Sequence, residues 1–388
     1  AHRVGNGKAG TRDPGPSAAM ARWQLLRVLP LPAGAAAAAL LQRGDERGRG
    51  RDWRPRTRQA LRCEEHRRPV AVVGDVFVDV MARVQGLPVW DGDTEAEYVK
   101  VLPGGSALNQ ARHLHALGRP VRFFGAVGGD AFGGMLVSHV AAQGFPTEGI
   151  KVFKDLPSSV CLVLTGPADR AFVSCYSTTD AYSSEDLKWS MGKPEECAHL
   201  HIGGYFNLKG LMKGSFTDLV RSCRARGLTV SVNTQFDASE AWTGTGGHLA
   251  ELLPLVNLLV VNKTEAESIA RKLAKDPTSD PLAICRAFPQ LTLVVTRGSE
   301  GCDVLRAGQP TVRVPTEPAV SIVDATGAGD AFLAGFLRIW LVRKRGASPG
   351  EEEEMLKAAC AMGNRVARVC LGRDGACVEP VRPPDLGE

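Results

Sequence analysis

The sequence predicts an α/β protein, a three-layer α/β/α arrangement with a mostly parallel central sheet and a small second β-sheet beside it. Two observations carry this prediction. Short apolar, β-branched runs alternate along the chain with longer helical patterns, as in a parallel sheet covered on both faces. Two stretches, about 82–102 and 160–180, break the alternation and read as β-rich excursions. The composition of the 388 residues, 44% hydrophobic and 23% charged, excludes collagen-like, coiled-coil and wholly disordered chains. No apolar run reaches the roughly 18 residues that a helix needs to cross a bilayer, so no membrane partner is expected.

Residues 1–69 are set apart from the fold. They contain an alanine run, Ala35–Ala39, and the arginine-rich stretch RGDERGRGRDWRPRTRQ. From Met20 the segment has few acids, several arginines and a short apolar piece, Leu25–Leu41. It reads either as an organelle transit peptide or as a disordered basic leader with no address. The protein is accordingly expected in the cytoplasm, or in a plastid or mitochondrion if the leader is a transit peptide. The leader carries 15 Lys and Arg against 6 Asp and Glu, which leaves the remainder of the chain mildly acidic. A nucleic-acid partner is therefore not expected, because phosphate neutralisation needs a basic surface.

The folded body is expected over 70–381, with a short tail at 382–388. VAVVGDVFVDV reads as a buried first strand, and strand signals recur at VRFFGAVG, VCLVLTG, LTVSVN, LLVVN and LTLVVTRG. Helical patterns lie between and after them, at SALNQARHLHALG, AFGGMLVSHVAAQG, LKGLMKGSFTDLVRSCRARG, KTEAESIARKLAK and GAGDAFLAGFLRIWLVRK. A last helix, EEEEMLKAACAMGNRVARV, opens on four glutamates that suit the positive end of its dipole. The ten cysteines form no Cys-x-x-Cys pair, and several sit in apolar contexts, so buried free thiols and a reducing compartment are expected.

In open α/β sheets ligands bind beyond the carboxyl ends of the strands, so chemistry is sought just after strand signals. The most informative segment is Asp324-Ala325-Thr326-Gly327-Ala328-Gly329-Asp330, which follows the strand-like AVSIV and opens an apolar helix. Small residues at Gly327, Ala328 and Gly329 let backbone N–H groups approach an anion, and the helix N-terminus adds positive potential. A carboxylate in such a pocket suits a base that deprotonates a hydroxyl attacking a phosphorus atom beside it. A tight strand-to-helix turn explains the same residues without catalysis. Neither a G-x-x-x-x-G-K-[ST] loop nor a G-x-G-x-x-G after the first strand is present.

DATGAGDAF resembles the second signature of the ribokinase-like, or pfkB, carbohydrate kinase family, and further motifs follow the family's order across the body. GDVFVD resembles the first strand with its substrate-binding Asp79. PGGSALN resembles the diglycine hinge, Gly104 and Gly105, followed by the substrate residue Asn109. GAVGGDAFG is similar to the family's G-x-x-G-x-D-x-x-G segment, Asn262 and Glu265 to its N-x-x-E motif, and Thr296, Gly298 and Gly301 to its nucleotide loop. The resemblance implies the ribokinase-like fold, with the excursions as a lid that closes over a sugar and excludes water. It implies ATP and Mg²⁺, with Glu265 acting on magnesium through water and Asn233 and Asn364 on the nucleotide side. K⁺ is implied at a monovalent-cation site near Asp324 and Gly375. A homodimer through the lid is a further expectation.

The implied activity is ATP-dependent phosphorylation of a small sugar, ribose, fructose or a relative, at a primary hydroxyl. An adenosine-type nucleoside kinase is the alternative within the family, and a catalytically silent scaffold the alternative outside catalysis. One departure bears on substrate: Ser106 stands where ribokinases carry a lysine, and a short hydroxyl cannot replace a long cation. For a nucleoside, the aromatic residues of the excursions, Trp90, Tyr98, Phe172 and Tyr176, are the candidates to stack on a base.

Overall fold

The computed structural model describes residues 68–387 apart from 145, 167–169, 320, 343–345 and 374–378. Among the described residues the strands are β1 (Val70–Gly74), β2 (Phe77–Val84), β3 (Ala96–Gly104), β4 (Val121–Gly128), β5 (Ile150–Phe153), β6 (Val160–Thr165), β7 (Arg170–Cys175), β8 (His199–Gly203), β9 (Thr229–Asn233), β10 (Leu258–Asn262), β11 (Thr292–Thr296), β12 (Cys302–Leu305) and β13 (Val312–Val314). The helices of ten residues or more are α1 (Ser106–Ala116), α2 (Ala131–Ala142), α3 (Phe216–Ala225), α4 (Lys263–Lys272), α5 (Ala328–Trp340) and α6 (Pro349–Leu371).

Nine strands form the large sheet in the order β13-β12-β11-β10-β9-β8-β1-β4-β5. From β5 to β11 the pairings are parallel, and β12 and β13 extend one edge antiparallel. Alternating side chains of these strands feed two cores. Ala71, Val73, Leu200, Ile202, Val230, Val232, Leu259 and Val261 pack on the face that carries α3 and α4. Val70, Val72, Leu258, Val260 and Val294 pack on the other face, against α1, α5 and α6. The three-layer expectation is met. The period-2 alternation sends neighbouring residues to opposite faces, so both faces must be apolar and both must be covered.

A small sheet stands beside it in the order β3-β2-β6-β7, with β2 and β6 parallel and the outer pairs antiparallel. It starts at Phe77, ahead of the expected 82, because VAVVGDVFVDV is not one strand but two, in different sheets. The division falls at Asp75, whose buried carboxylate accepts hydrogen bonds from Ala107 N–H and Asn207 Nδ2, both at 2.8 Å. Those bonds hold the chain where β1 ends and let it cross to the second sheet.

Three other expectations change. LKGLMKGSFTDLVRSCRARG gives a four-residue helix at Lys209–Met212 and then α3, because the Ser215 N–H turns to Ser184 Oγ at 3.1 Å. The described residues of AVSIV form no strand: Ile322 and Val323 are 72% and 52% exposed, and Val323 N–H bonds Leu371 O at the end of α6. Residues 382–387 are not a free tail, since Leu386 is buried in the α1/α5/α6 core and Asp385 pairs with Arg373 at 2.8 Å. The described cysteines are free thiols, most of them buried; Cys63 and Cys377 lie outside the described residues. No helix among those residues is long and apolar enough to cross a membrane.

Candidate active site

The carboxyl ends of β9, β10 and β11, the start of α5 and the start of α1 meet at one edge of the large sheet, and Asp330 lies there. It sits in the first turn of α5, buried at 6% exposure. Gly327 caps the helix in the left-handed region (φ 77°) without a side-chain bond. The first N–H groups of a helix have no intrahelical acceptor, so those of Gly329 and Asp330 are available to an anion.

Asp330 is surrounded by neutral donors. Ser106 Oγ donates to Oδ1 at 2.6 Å, Gln110 Nε2 to Oδ1 at 2.9 Å and Asn109 Nδ2 to Oδ2 at 3.2 Å, while Gln235 Nε2 stands 3.5 Å away. Burial pushes its pKa up to about 7, and the donors, which favour the ionised form, hold it there against a higher value. Near-neutral acidity is what a general base needs at physiological pH. Asn109 Oδ1 is buried with no hydrogen-bond donor among the described residues, an acceptor left for a ligand hydroxyl.

Asn233, at the end of β9, belongs to the same cluster. Its Oδ1 accepts from Gln110 at 2.9 Å and Gln235 at 3.0 Å, and its Nδ2 donates to Val260 O at 2.9 Å. Ser106, Gln110 and Gln235 were not singled out from the sequence as partners of Asp330. Gln235 holds a left-handed backbone (φ 63°), unusual for a residue with a side chain and a local signal that its direction is enforced. Nothing in the residue order showed that Gln110, one turn into α1, reaches Asp330.

Asn262 and Glu265 form a capping box at the start of α4, where Glu265 N–H bonds Asn262 Oδ1 and Asn262 Nδ2 bonds Glu265 Oε1 at 2.7 Å. Thr234 Oγ1 adds a bond to Oε2 at 3.1 Å. Burial raises Glu265 to about 7, and no cation pairs with it among the described residues. Thr296 ends β11, Gly298 and Gly301 form the turn into β12, and Asn364 on α6 bonds Pro315 O at 3.2 Å. All of them flank the same edge. Asp324 accepts Thr326 N–H at 2.8 Å and has the Arg170 guanidinium, from lid strand β7, at 4.0 Å. Gly375 lies outside the described residues.

Asp79 is carried by β2 of the small sheet. Its carboxylate makes no hydrogen bond among the described residues, and burial together with the nearby Asp75 charge raises it to about 7. A Cβ on Gly104 would collide with its carboxylate, and Gly105 adopts φ 99°, a backbone that L side chains rarely take. The diglycine thus lets β3 run close beside Asp79 and then turn into α1, which carries Ser106, Asn109 and Gln110. Tyr98 and Phe172 share the sheet face of Asp79 through the register of β2, β3, β6 and β7.

The family model described as pfkB family carbohydrate kinase matches residues 67–382. The chain is 26% identical over 330 residues to the bifunctional protein HldE of Aeromonas salmonicida, covering 80% of this chain and 62% of that protein. It therefore spans under two thirds of that relative's length. It is 25% identical over 352 residues to adenosine kinase 1 of Arabidopsis thaliana, covering 81% and 93% of the two chains. The solved structure of ribokinase from Giardia lamblia superposes with a TM-score of 0.70 at 18% identity, over 83% of this chain and 98% of that one. The last likeness shows the fold.

Proposed function

We propose, from the premise that this chain belongs to the pfkB family of carbohydrate kinases and uses ATP, that it phosphorylates a small sugar of the ribose or fructose kind at a primary hydroxyl. The observation that carries the reading is Asp330. It is a buried carboxylate of near-neutral acidity, set at the N-terminus of α5, with neutral donors among the described residues from Ser106 and Gln110 on Oδ1 and from Asn109 alone on Oδ2. In this reading Asp330 takes the proton of the attacking hydroxyl. The new O–P bond forms at the γ-phosphorus as the bond to the β-phosphate oxygen breaks, and ADP leaves. The backbone N–H groups of Gly329 and Asp330 stabilise charge on the transferring phosphoryl, while that of Ala328 is taken by Ala325 O; positioning and electrostatics supply most of the acceleration.

Asp79, with no internal donor, accepts from the sugar hydroxyls, and Asn109 Oδ1 accepts from another. The diglycine lets the small sheet act as a lid that keeps water from the phosphoryl group. Asn233, Asn262, Thr296, Gly298, Gly301 and Asn364 line the nucleotide side. Glu265 fits a magnesium ion held through water, being a buried carboxylate without a paired cation among the described residues; the ion neutralises phosphate charge when bound. Asp324 already has Arg170 beside it, so a monovalent cation carries no part of this reading.

Val80, Val101, Leu162 and Val173 line up across the lid on the face opposite Asp79, and three of them are exposed. They form the surface through which two copies pair in this account. A chain that sediments only as a monomer at micromolar concentration contradicts the pairing. Residues 1–69 take no part in the chemistry; cytoplasmic or organelle residence rests on that leader.

The test is ADP release by the full chain with Mg²⁺ and a panel of pentoses, ketohexoses, sugar acids and nucleosides, with Asp330→Asn as the blank. Turnover on a sugar, lost in the variant, supports the proposal. Turnover on nucleosides alone keeps the mechanism and replaces the substrate, an outcome for which Tyr98 and Phe172 on the Asp79 face supply the rings. ATP binding with no acceptor turned over points to a silent scaffold and overturns the proposal.

A further inference from the structure

β8 is the central strand that least resembles one, because HLHIG places two imidazoles on the sheet face otherwise packed by Val70, Val72, Leu258 and Val260. His199 and His201 are both fully buried, and β9 answers them with Thr229 and Ser231. Four contacts of 2.7 Å link the set: Gln110 Oε1 to His201 Nε2, His201 Nδ1 to Ser231 Oγ, Ser231 Oγ to His199 Nε2, and His199 Nδ1 to Thr229 Oγ1. Gln110 Nε2 then reaches Asp330 Oδ1. An unbroken polar line thus runs across an apolar core to the carboxylate.

The line has one direction. An ionised Asp330 accepts from the Gln110 NH₂, so Gln110 Oε1 faces His201 and requires a hydrogen on Nε2. His201 Nδ1 is then a bare acceptor that takes the single hydrogen of Ser231. The Ser231 oxygen accepts from His199 Nε2–H, and His199 Nδ1 accepts from Thr229. Every donor points toward Asp330. Burial drives the pKa of His201 down to about 3, so it stays a neutral imidazole through the physiological range.

We propose that Gln110, His201, Ser231, His199 and Thr229 form a polarised donor chain that positions the base, with His201 as the residue that locks the Gln110 amide with its NH₂ turned to Asp330. Asn233 Oδ1 accepts from the same NH₂ at 2.9 Å, so the amide is held at both ends; without His201 its oxygen end loses its donor, and the bond to Asp330 is weakened. The inference rests on Asp330 being the base. The other groups that face Asp330 are Ser106 and Asn109 from α1, Gln235 after β9, the Asp75 carboxylate and the Cys370 thiol of α6. None of them depends on His201.

The test uses the full chain. In long-range ¹⁵N–¹H spectra of the parent, His199 and His201 should both be Nε2–H tautomers, and His201 should not titrate between pH 5 and 8; Nδ1–H at His201 overturns the chain. In kinetics with the acceptor found to be turned over, His201→Leu should move the acid limb of kcat upward by about one pH unit, the order of one weakened hydrogen bond to a charged group, with KM for ATP unchanged. His201→Gln, which restores a donor, should bring the limb back. A folded His201→Leu with the parental limb overturns the proposal. If His201→Leu does not fold, Ser231→Ala interrupts the line one step further out, and an unmoved limb there overturns it equally. Full turnover by Asp330→Asn would remove the base assignment instead, a result the tautomer measurement does not mimic.

Discussion

Asp330 and Asp79 are both pushed to about 7 by burial, yet they are built in opposite ways. Asp330 stands on the large sheet's edge with donors from Ser106, Asn109 and Gln110 already in place. Asp79 stands on the lid with no donor among the described residues and with a glycine of β3 against it. The first is fixed in one geometry before any ligand arrives. The second keeps its acceptor sites open, and its strand belongs to a sheet that joins α1 through Gly104 and Gly105. Preorganised charge suits the step that must not reorganise, and open acceptors suit a group whose partners arrive with the substrate.

That contrast can be broken from either side. Asp330→Asn should lower kcat by roughly 10²- to 10⁴-fold, the range for lost general-base catalysis, and leave the sugar KM little changed. Asp79→Asn should act mainly on KM, raising it about 10- to 100-fold as hydrogen bonds between sugar hydroxyls and a charged acceptor are weakened. Steady-state titration of both substrates checks the split, and a kcat loss in Asp79→Asn equal to that of Asp330→Asn would erase the distinction. Gly104→Ala should be milder. The new methyl presses on the Asp79 carboxylate, and overpacking of that size corresponds to about a tenfold loss in kcat/KM for the sugar with ATP binding retained. An unchanged sugar kcat/KM would show that the close approach at Gly104 is incidental.

The two regions also differed in how well the sequence foretold them. The Asp330 segment was legible because small residues before a helix, followed by a carboxylate, have few uses other than a turn or an anion site. The lid was legible in outline, as two stretches that broke the alternation. What failed was the reading of VAVVGDVFVDV as a single strand, since the feature that divides it is a tertiary contact of Asp75 with α1 and Asn207. β8 went unrecognised for a related reason. Its two histidines erase the apolar signal of a central strand, and their partners Ser231 and Gln110 come from β9 and α1. Ser106, noted from the sequence only as a missing lysine, bonds Asp330 directly at 2.6 Å.

The most direct test of the central claim is the pH dependence of kcat for the full chain and for Asp330→Asn, measured with the same acceptor at saturating ATP and Mg²⁺. A base works only when ionised, so the parent should lose turnover as pH falls through the pKa of Asp330, giving an acid limb near 7. The variant should show a low rate without that limb. A limb near 7 that persists in Asp330→Asn would assign the titration to another group and contradict the account.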